Sequence, residues 1–234
     1  MDNRKSNLLN SIIEEYIDSA EPVGSGLIVE KYKLNVSTAT VRNEMMELEK
    51  EGYIYQPYTS AGRVPTENGY KFYAGNMDKK RDVNLAVKKK LQEILMQNDD
   101  SEVKIKNIAK KIAQESNEIM IIAFGAMDIY YTGISNLFAQ PEFSEHRLVC
   151  SLSEVIDRMD EVIYKCYNSY AAETKGANIL IGADNPFDRS CSAIITKFKP
   201  DDKDILMCML GPMRMDYGKN TALVEYARDL MSQS

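Results

Sequence analysis

The residues with the clearest chemistry lie between Ser37 and Asn43, where short polar side chains and one arginine follow each other. An arginine can pair with guanine in the major groove through two hydrogen bonds, and an asparagine can do the same with adenine. Ser37 and the backbone N–H groups after it are suited to a phosphate. The sequence therefore predicts a DNA-reading surface. The side chains expected to face bases are Thr38, Thr40, Arg42 and Asn43.

These residues lie on a predicted amphipathic helix. Ser37 is the predicted N-cap, because its hydroxyl can accept a hydrogen bond from a free backbone N–H of the first turn. Val41, Met45 and Leu48 recur at the spacing of one helix face and predict a buried stripe. Gly52 predicts the end of the helix. One face is thus expected to be buried while the polar start of the helix stays open, as a reading helix requires.

The segments before this helix predict a helix-turn-helix. Apolar residues between Leu8 and Ile17 recur with helical spacing, and the sequence Glu21-Pro22-Val23-Gly24 breaks that helix. Ser25 is expected to cap a short second helix. Residues 34–36 are expected to form the tight turn into the reading helix.

The segments after it predict a hairpin wing. A strand is expected at residues 53–55, a loop at 56–62 and a return strand that Pro65 keeps short. A further helix begins after Thr66. The hairpin side chains expected to lie along phosphates or in a minor groove are Thr59, Ser60 and Arg63. Residues 1–75 are therefore interpreted as a winged-helix DNA-binding domain.

Charge leaves an alternative open. Residues 1–75 contain 8 Lys and Arg against 11 Asp and Glu, whereas basic surface usually supplies much of the affinity for DNA. A helical protein–protein module with the same order of elements is the alternative. Most of the acids lie away from the predicted reading end, so weak non-specific DNA affinity is expected.

The chemistry of enzymes and metal sites is not predicted. His146 is the single histidine, and the four cysteines at positions 150, 166, 191 and 208 form no CxxC pair. No cofactor motif and no catalytic set is found, so the protein is predicted not to be an enzyme. The cysteines are expected to be reduced and buried. No apolar run is long enough for a membrane span, and a cytoplasmic location is expected.

A linker helix is predicted at residues 76–98. Its stretch from Asp78 to Gln97 lacks Gly and Pro, and lysines dominate its charge. The apolar residues proposed to contact a second subunit are Val83, Val87, Leu91 and Ile94. A solvated helix without such a contact is the alternative.

The remaining residues, 99–234, predict an α+β domain. Helices are expected at 102–115, 153–170 and 221–231, and strands at 119–124, 177–182, 191–198 and 205–210. Arg214 is interpreted as the partner of a structural ion pair, with a ligand anchor as the alternative. Residues 211–218 are interpreted as a turn rather than a phosphate loop.

Both halves resemble one family. The stretches at residues 21–25, 37–45 and 56–66 are similar to the N-terminal domain of the HrcA heat-inducible transcription repressors. Residues 130–137, 140–143, 181–185 and 210–219 resemble the central and C-terminal signatures of the same family. The agreement of separate blocks in the same order argues against chance similarity.

The resemblance implies a repressor that binds an inverted-repeat operator ahead of chaperone genes as a homodimer. It also implies a chaperonin partner that keeps the repressor active, and a GAF-like C-terminal domain. Family members are usually longer, with an inserted dimerisation domain before the Tyr130 signature. Here residues 98–127 occupy that interval, so the insert is expected to be absent and the sheet abbreviated.

Two other functions are considered. A small-ligand-sensing regulator would use the GAF-like half to set DNA affinity, although a fold alone assigns no ligand. A chaperone-associated module that has lost DNA binding is the third reading, and the presence of Arg42, Asn43 and Arg63 argues against it.

Overall fold

The computed structural model describes residues 1–33, 36–77, 82–97, 100–144, 146–170, 176–200 and 203–232. The chain divides into two compact units, Met1–Met77 and Asp78–Ser234. Helices and strands occur together, and the α+β class predicted from the sequence is confirmed.

The N-terminal unit packs helices around one small core and adds a hairpin. Its elements are α1 (Asn3–Ser19), α2 (Ser25–Lys31), α3 (Thr38–Lys50), β1 (Ile54–Tyr55), β2 (Val64–Pro65) and α4 (Glu67–Asn76). The predicted stripe of α3 is confirmed, since Val41, Met45 and Leu48 are buried. The two strands pair antiparallel, with Tyr55 opposite Val64.

Two details of this unit concern turns. The helix α2 starts at Ser25 itself, preceded by Gly24, and no side chain caps it, so the prediction that Ser25 is the cap is wrong. The predicted turn into α3 includes Leu34 and Asn35, which lie outside the described residues. The short return strand expected from Pro65 is confirmed, because β2 ends at that residue.

The second unit is built on an antiparallel sheet. Its helices are α5 (Leu85–Gln97), α6 (Ser101–Ser116), α7 (Ile134–Phe138), α8 (His146–Asp157), α9 (Met159–Ser169) and α10 (Tyr217–Ser232). Its strands are β3 (Ile119–Gly125), β4 (Asp128–Thr132), β5 (Asn178–Ile181), β6 (Cys191–Phe198) and β7 (Ile205–Pro212). The strands run in the order β4-β3-β7-β6-β5 among the described residues.

Both faces of this sheet are covered. Side chains alternate between the two faces of a strand, and those of Ile121, Ile195 and Cys208 share a buried cluster with Val155 and Ile163 of α8 and α9. The alternate residues of β3, β6 and β7 are also buried, and α6 and α10 contact these strands. This double coverage explains why β6 and β7 are apolar and buried along their whole length.

Two predicted helices have different bounds. The helix α5 begins at Leu85, because residues 82–84 are not helical and the Asn84 side chain accepts a hydrogen bond from the N–H of Ala86. Residues 78–81 lie outside the described residues. The helix expected at 153–170 is two helices, because the backbone leaves the helical region at Arg158.

The predicted reduced cysteines are free, and Cys166, Cys191 and Cys208 are buried. Burial was also expected for Cys150, which is exposed, so that part of the prediction is wrong.

Candidate nucleic-acid interface

The start of α3 has the capped geometry that its sequence predicts. The Ser37 hydroxyl accepts a hydrogen bond from the backbone N–H of Thr40 at 3.1 Å, and it lies 2.9 Å from the Thr40 hydroxyl. Ser37 itself has extended backbone angles, as an N-cap residue requires. The cap fixes the first turn and leaves other N–H groups of that turn facing outward.

The polar face of this helix is open. Ser37, Thr38, Arg42 and Asn43 are exposed, whereas Thr40 is half-buried. Among the described residues no carboxylate forms a salt bridge with Arg42. The guanidinium of Arg42 is therefore available for an anion or a base edge. The hydroxyl of Thr40 is already engaged with Ser37, so the base contact predicted for Thr40 would compete with the cap.

The acidic residues of α3 are paired with cations from α1. Glu44 lies 2.7 Å from Arg4, and Lys5 lies 2.6 Å from Glu47 and 3.2 Å from Glu51. The two carboxylates raise the pKa of the Lys5 ammonium. The negative charge that dominates the composition of this unit is thus offset at its own helix, away from the polar start of α3.

The hairpin places two of its three predicted contacts at the tip. Thr59 and Ser60 are exposed, and Ser60 has a left-handed backbone with φ 72°. The base of the hairpin is held at Gly62, where a Cβ atom would lie 2.5 Å from the carbonyl oxygen of Pro22. This close approach requires glycine and seats the hairpin on the turn between α1 and α2.

The third predicted contact, Arg63, lies at the base of the hairpin. Its backbone N–H and C=O both bond to Val23, at 2.8 and 2.9 Å. Its side chain is only 13% exposed, and its guanidinium lies 2.9 Å from Glu49 of α3. The structure therefore does not bring Arg63 to the tip with Thr59 and Ser60. Sequence reasoning also missed Glu49, because a pair separated by so many residues leaves no local signal.

A cleft of about 410 Å³ runs between α3 and the hairpin. Its walls include Ser25, Arg42, Gln56, Ser60 and Arg63. The only wall residue with an exposed and unpaired guanidinium among the described residues is Arg42. The cleft is therefore polar, with its free positive charge on the reading-helix side.

A second polar cluster, around Glu118, lies in the sheet unit. The Glu118 side chain is buried, and desolvation raises the pKa of its carboxyl well above the usual range, although Arg214 opposes this shift. A Cβ atom at position 211 would lie 2.0 Å from Glu118 Oε2, so only glycine leaves room there. Sequence reasoning missed Glu118. The unusual Gly211 at the end of a buried strand is the signal that could have found it.

The same cluster explains Arg214. Its Nε lies 2.5 Å from Glu142, and one terminal nitrogen donates to Gln140 at 2.9 Å. These contacts join residues 140–142 to residue 214. The predicted structural ion pair is thus present, and Arg214 does not have the free guanidinium that a ligand anchor needs.

The four residues proposed for dimerisation divide into two groups. Val83 and Leu91 are buried within one chain, where α5 contacts α6 and α10. Val87 and Ile94 are half-buried. The dimer interface stays a prediction, and this burial narrows it to Val87 and Ile94.

Two searches of the described residues gave no site. No helix among them is both long and apolar enough to cross a membrane. No group of three or more His, Cys, Asp or Glu within the described ranges could hold a metal ion.

The fold and this surface define an α+β protein whose N-terminal unit presents a capped, exposed helix start beside a hairpin. The family model described as HrcA protein C terminal domain matches residues 77–220. The chain therefore belongs to the HrcA family.

Individual relatives agree with this assignment. A "Heat-inducible transcription repressor HrcA" of Clostridioides difficile (strain 630) is 25% identical over 338 aligned positions, covering 100% of this chain and 99% of that protein. One of the same name from Acidothermus cellulolyticus is 37% identical over 128 residues, which are 55% of this chain and 38% of that protein. The chain thus spans well under half the length of the first relatives it matches. These proteins bear the name of a repressor and not of an enzyme.

A solved structure shares the fold. A crystal structure of a hypothetical protein at 2.2 Å resolution superimposes with a TM-score of 0.83 at 18% identity, covering 100% of this chain and 98% of that chain. The alignment with the Clostridioides difficile protein extends over 338 positions against 234 residues here, which agrees with the expectation that this chain is a shortened family member.

Proposed function

We propose that this protein is a DNA-binding transcription repressor whose N-terminal unit is a winged helix with α3 as its reading helix. The observation that carries the proposal is the division of α3 into a buried stripe and an exposed polar start. Val41, Met45 and Leu48 anchor the helix, while Arg42 and Asn43 remain open to solvent. Membership of the HrcA family supports it, since the curated relatives are named as heat-inducible transcription repressors.

The proposed contacts are divided by chemistry. Arg42 would contact a guanine and Asn43 an adenine, with Thr38 beside them. Ser37 and the first N–H groups of α3 would bind a phosphate. Thr59 and Ser60 would position the tip of the hairpin on the backbone, and Arg63 would support it from the base.

The operator is proposed to be an inverted repeat ahead of chaperone genes. A two-fold repeat requires a two-fold dimer, with reading helices separated by a multiple of about 34–36 Å. The family resemblance supports a chaperonin as the partner that keeps the repressor active. The α+β unit would then carry the dimer contact or the response to the inducing signal.

Fluorescence anisotropy tests the DNA proposal. The full chain is titrated onto a labelled duplex carrying the inverted repeat from the chaperonin promoter of the source organism, and onto a scrambled duplex, across a salt series. We expect a preference on the order of a thousandfold for the repeat. Equal and weak binding to both duplexes would reject this operator.

A pair of arginine variants locates the interface. Arg42→Ala should weaken operator binding by about 1–3 kcal/mol, because one bidentate base contact is lost. Arg189→Ala is the matched control, since Arg189 is exposed and lies in the second unit. Unchanged operator affinity in Arg42→Ala would move the interface away from α3.

A further inference from the structure

We propose that Glu49 is a positioning residue that holds the hairpin against α3, and that Arg63 acts through Glu49 instead of contacting DNA. The inference rests on the proposed function, because it concerns how the hairpin meets DNA. It assigns opposite charges to one device: a carboxylate on the reading helix and a guanidinium at the base of the wing.

Glu49 contacts both arms of the hairpin. One carboxylate oxygen accepts from the backbone N–H of Gln56 at 3.2 Å, and the other lies 2.9 Å from the Arg63 guanidinium. The Gln56 side chain then donates to the carbonyl oxygen of Ala61 at 2.9 Å, across the loop. A single side chain on α3 therefore fixes where the hairpin leaves the helix and where it returns.

Arg63 is poorly placed for a phosphate. Its backbone is bonded on both sides to Val23, and the neighbouring Gly62 leaves no space between the hairpin and the α1–α2 turn. Its Nε is buried without a hydrogen-bond partner. Moving the guanidinium to DNA would break the ion pair and leave Glu49 uncompensated, which is costly for a partly buried pair.

The charge of Glu49 makes the proposal decidable. A carboxylate beside a DNA groove repels phosphates, so an acid with no positioning role would weaken binding and its removal would strengthen binding. If Glu49 positions the hairpin, its removal weakens binding despite the loss of negative charge. The two possibilities predict opposite signs for the same substitution.

The test compares Glu49→Ala, Arg63→Ala and the double variant in operator anisotropy at several salt concentrations. We expect each single variant to lose on the order of tenfold in affinity, and the double variant to lose no more than one of them, because both break one device. The slope of log affinity against log salt should stay at the wild-type value in all three, since no phosphate contact is removed.

A direct contact gives a different result. The proposal is overturned if Arg63→Ala lowers the salt slope by about 0.9, the value of one phosphate contact. It is also overturned if Glu49→Ala binds the operator more tightly than wild type. Failure of the proposed function looks different again, since the wild-type chain itself would then fail to prefer the operator.

Two measurements separate positioning from simple support of the fold. All affinities are taken well below the melting temperature of the least stable variant, where a purely stabilising role leaves affinity unchanged and so overturns the proposal. Glu49→Gln keeps an acceptor for the Gln56 N–H but loses the charge, and its affinity should lie between wild type and Glu49→Ala. Faster amide exchange at Gln56 in Glu49→Ala, with exchange in the core of α1 unchanged, is the expected direct sign of a released hairpin.

Discussion

Glu118 is an acid whose surroundings favour its neutral form. Its side chain is 4% exposed, and the charged groups that face it are Arg214, Glu142 and Lys219. Desolvation dominates and raises the pKa of the carboxyl above its ordinary value. Because the folded pKa is raised, the native state binds more protons than the unfolded chain, so stability is highest below the ordinary glutamate pKa and falls as the pH rises toward the folded pKa.

Glu118→Gln should remove this pH dependence, because the amide has nearly the same shape and no charge to bury. We expect the free energy of unfolding of the variant to gain on that of wild type as the pH rises from about 5 to about 8. Urea unfolding of both proteins at several pH values measures it. A difference that stays constant with pH would show that Glu118 does not titrate differently on folding.

Gly62 offers a residue-scale test of how the hairpin is seated. Gly62→Ala places a methyl group against the backbone of Pro22 and Val23, and we expect a loss of about 1–3 kcal/mol in unfolding free energy. Gly26→Ala is the matched control, because that position in α2 has no atom within 4 Å and a helical alanine is favourable. Thermal unfolding of both variants would contradict this account if Gly62→Ala were as stable as its control.

At the scale of elements, caps decide where helices begin. Ser37 caps α3 with a hydroxyl that accepts from Thr40, and Ser37→Ala should cost about 1 kcal/mol of stability. Thr38→Ala, one residue further along, removes a hydroxyl that accepts no cap hydrogen bond and should be close to neutral. Denaturant unfolding of the two variants compares them directly. Equal losses would remove the special role of Ser37.

Elements with strong local signals were predicted closely. Both ends of β6 agree with the expected 191–198, since a continuous apolar run is bounded by polar turns. The start of α3 was predicted from Ser37 because the cap and the apolar spacing agree. The break at Arg158 was not, because residues 153–170 keep helical spacing throughout and the kink depends on tertiary packing.

The candidate site was predicted in the same uneven way. Exposure of Thr38, Arg42 and Asn43 follows from the periodicity of α3 alone. The position of Arg63 does not, since its burial depends on Glu49 and on the backbone of Val23, which lie far from it in sequence. Residue type therefore indicated the chemistry of Arg63, and only the contacts assign its role.

At the scale of the whole molecule, the open question is assembly. An inverted repeat calls for a dimer, and the expected absence of the family's insert leaves α5 as the proposed contact. Val87 and Ile94 are the members of its stripe that stay half-buried within one chain. Equilibrium sedimentation should show a concentration-dependent dimer, and monomer alone at high concentration would reject this interface.

A double variant tests the same interface. Val87→Asp with Ile94→Asp should shift the sedimentation equilibrium to monomer and lower operator affinity, because burying two carboxylates in a contact is unfavourable. Gln92→Asp adds a charge on an exposed position of α5 and serves as the control. Melting temperatures of all variants identify any loss that comes from unfolding instead of dissociation.

The fit between Glu118 and Gly211 has a consequence for the history of the family. The carboxyl group occupies the volume that any other side chain at position 211 would need, so neither position can change freely while the other stays the same. A lineage that acquires alanine at 211 must first, or at the same time, acquire a shorter residue at 118. We therefore expect the two positions to co-vary among HrcA sequences, with glycine at 211 wherever glutamate or glutamine stands at 118.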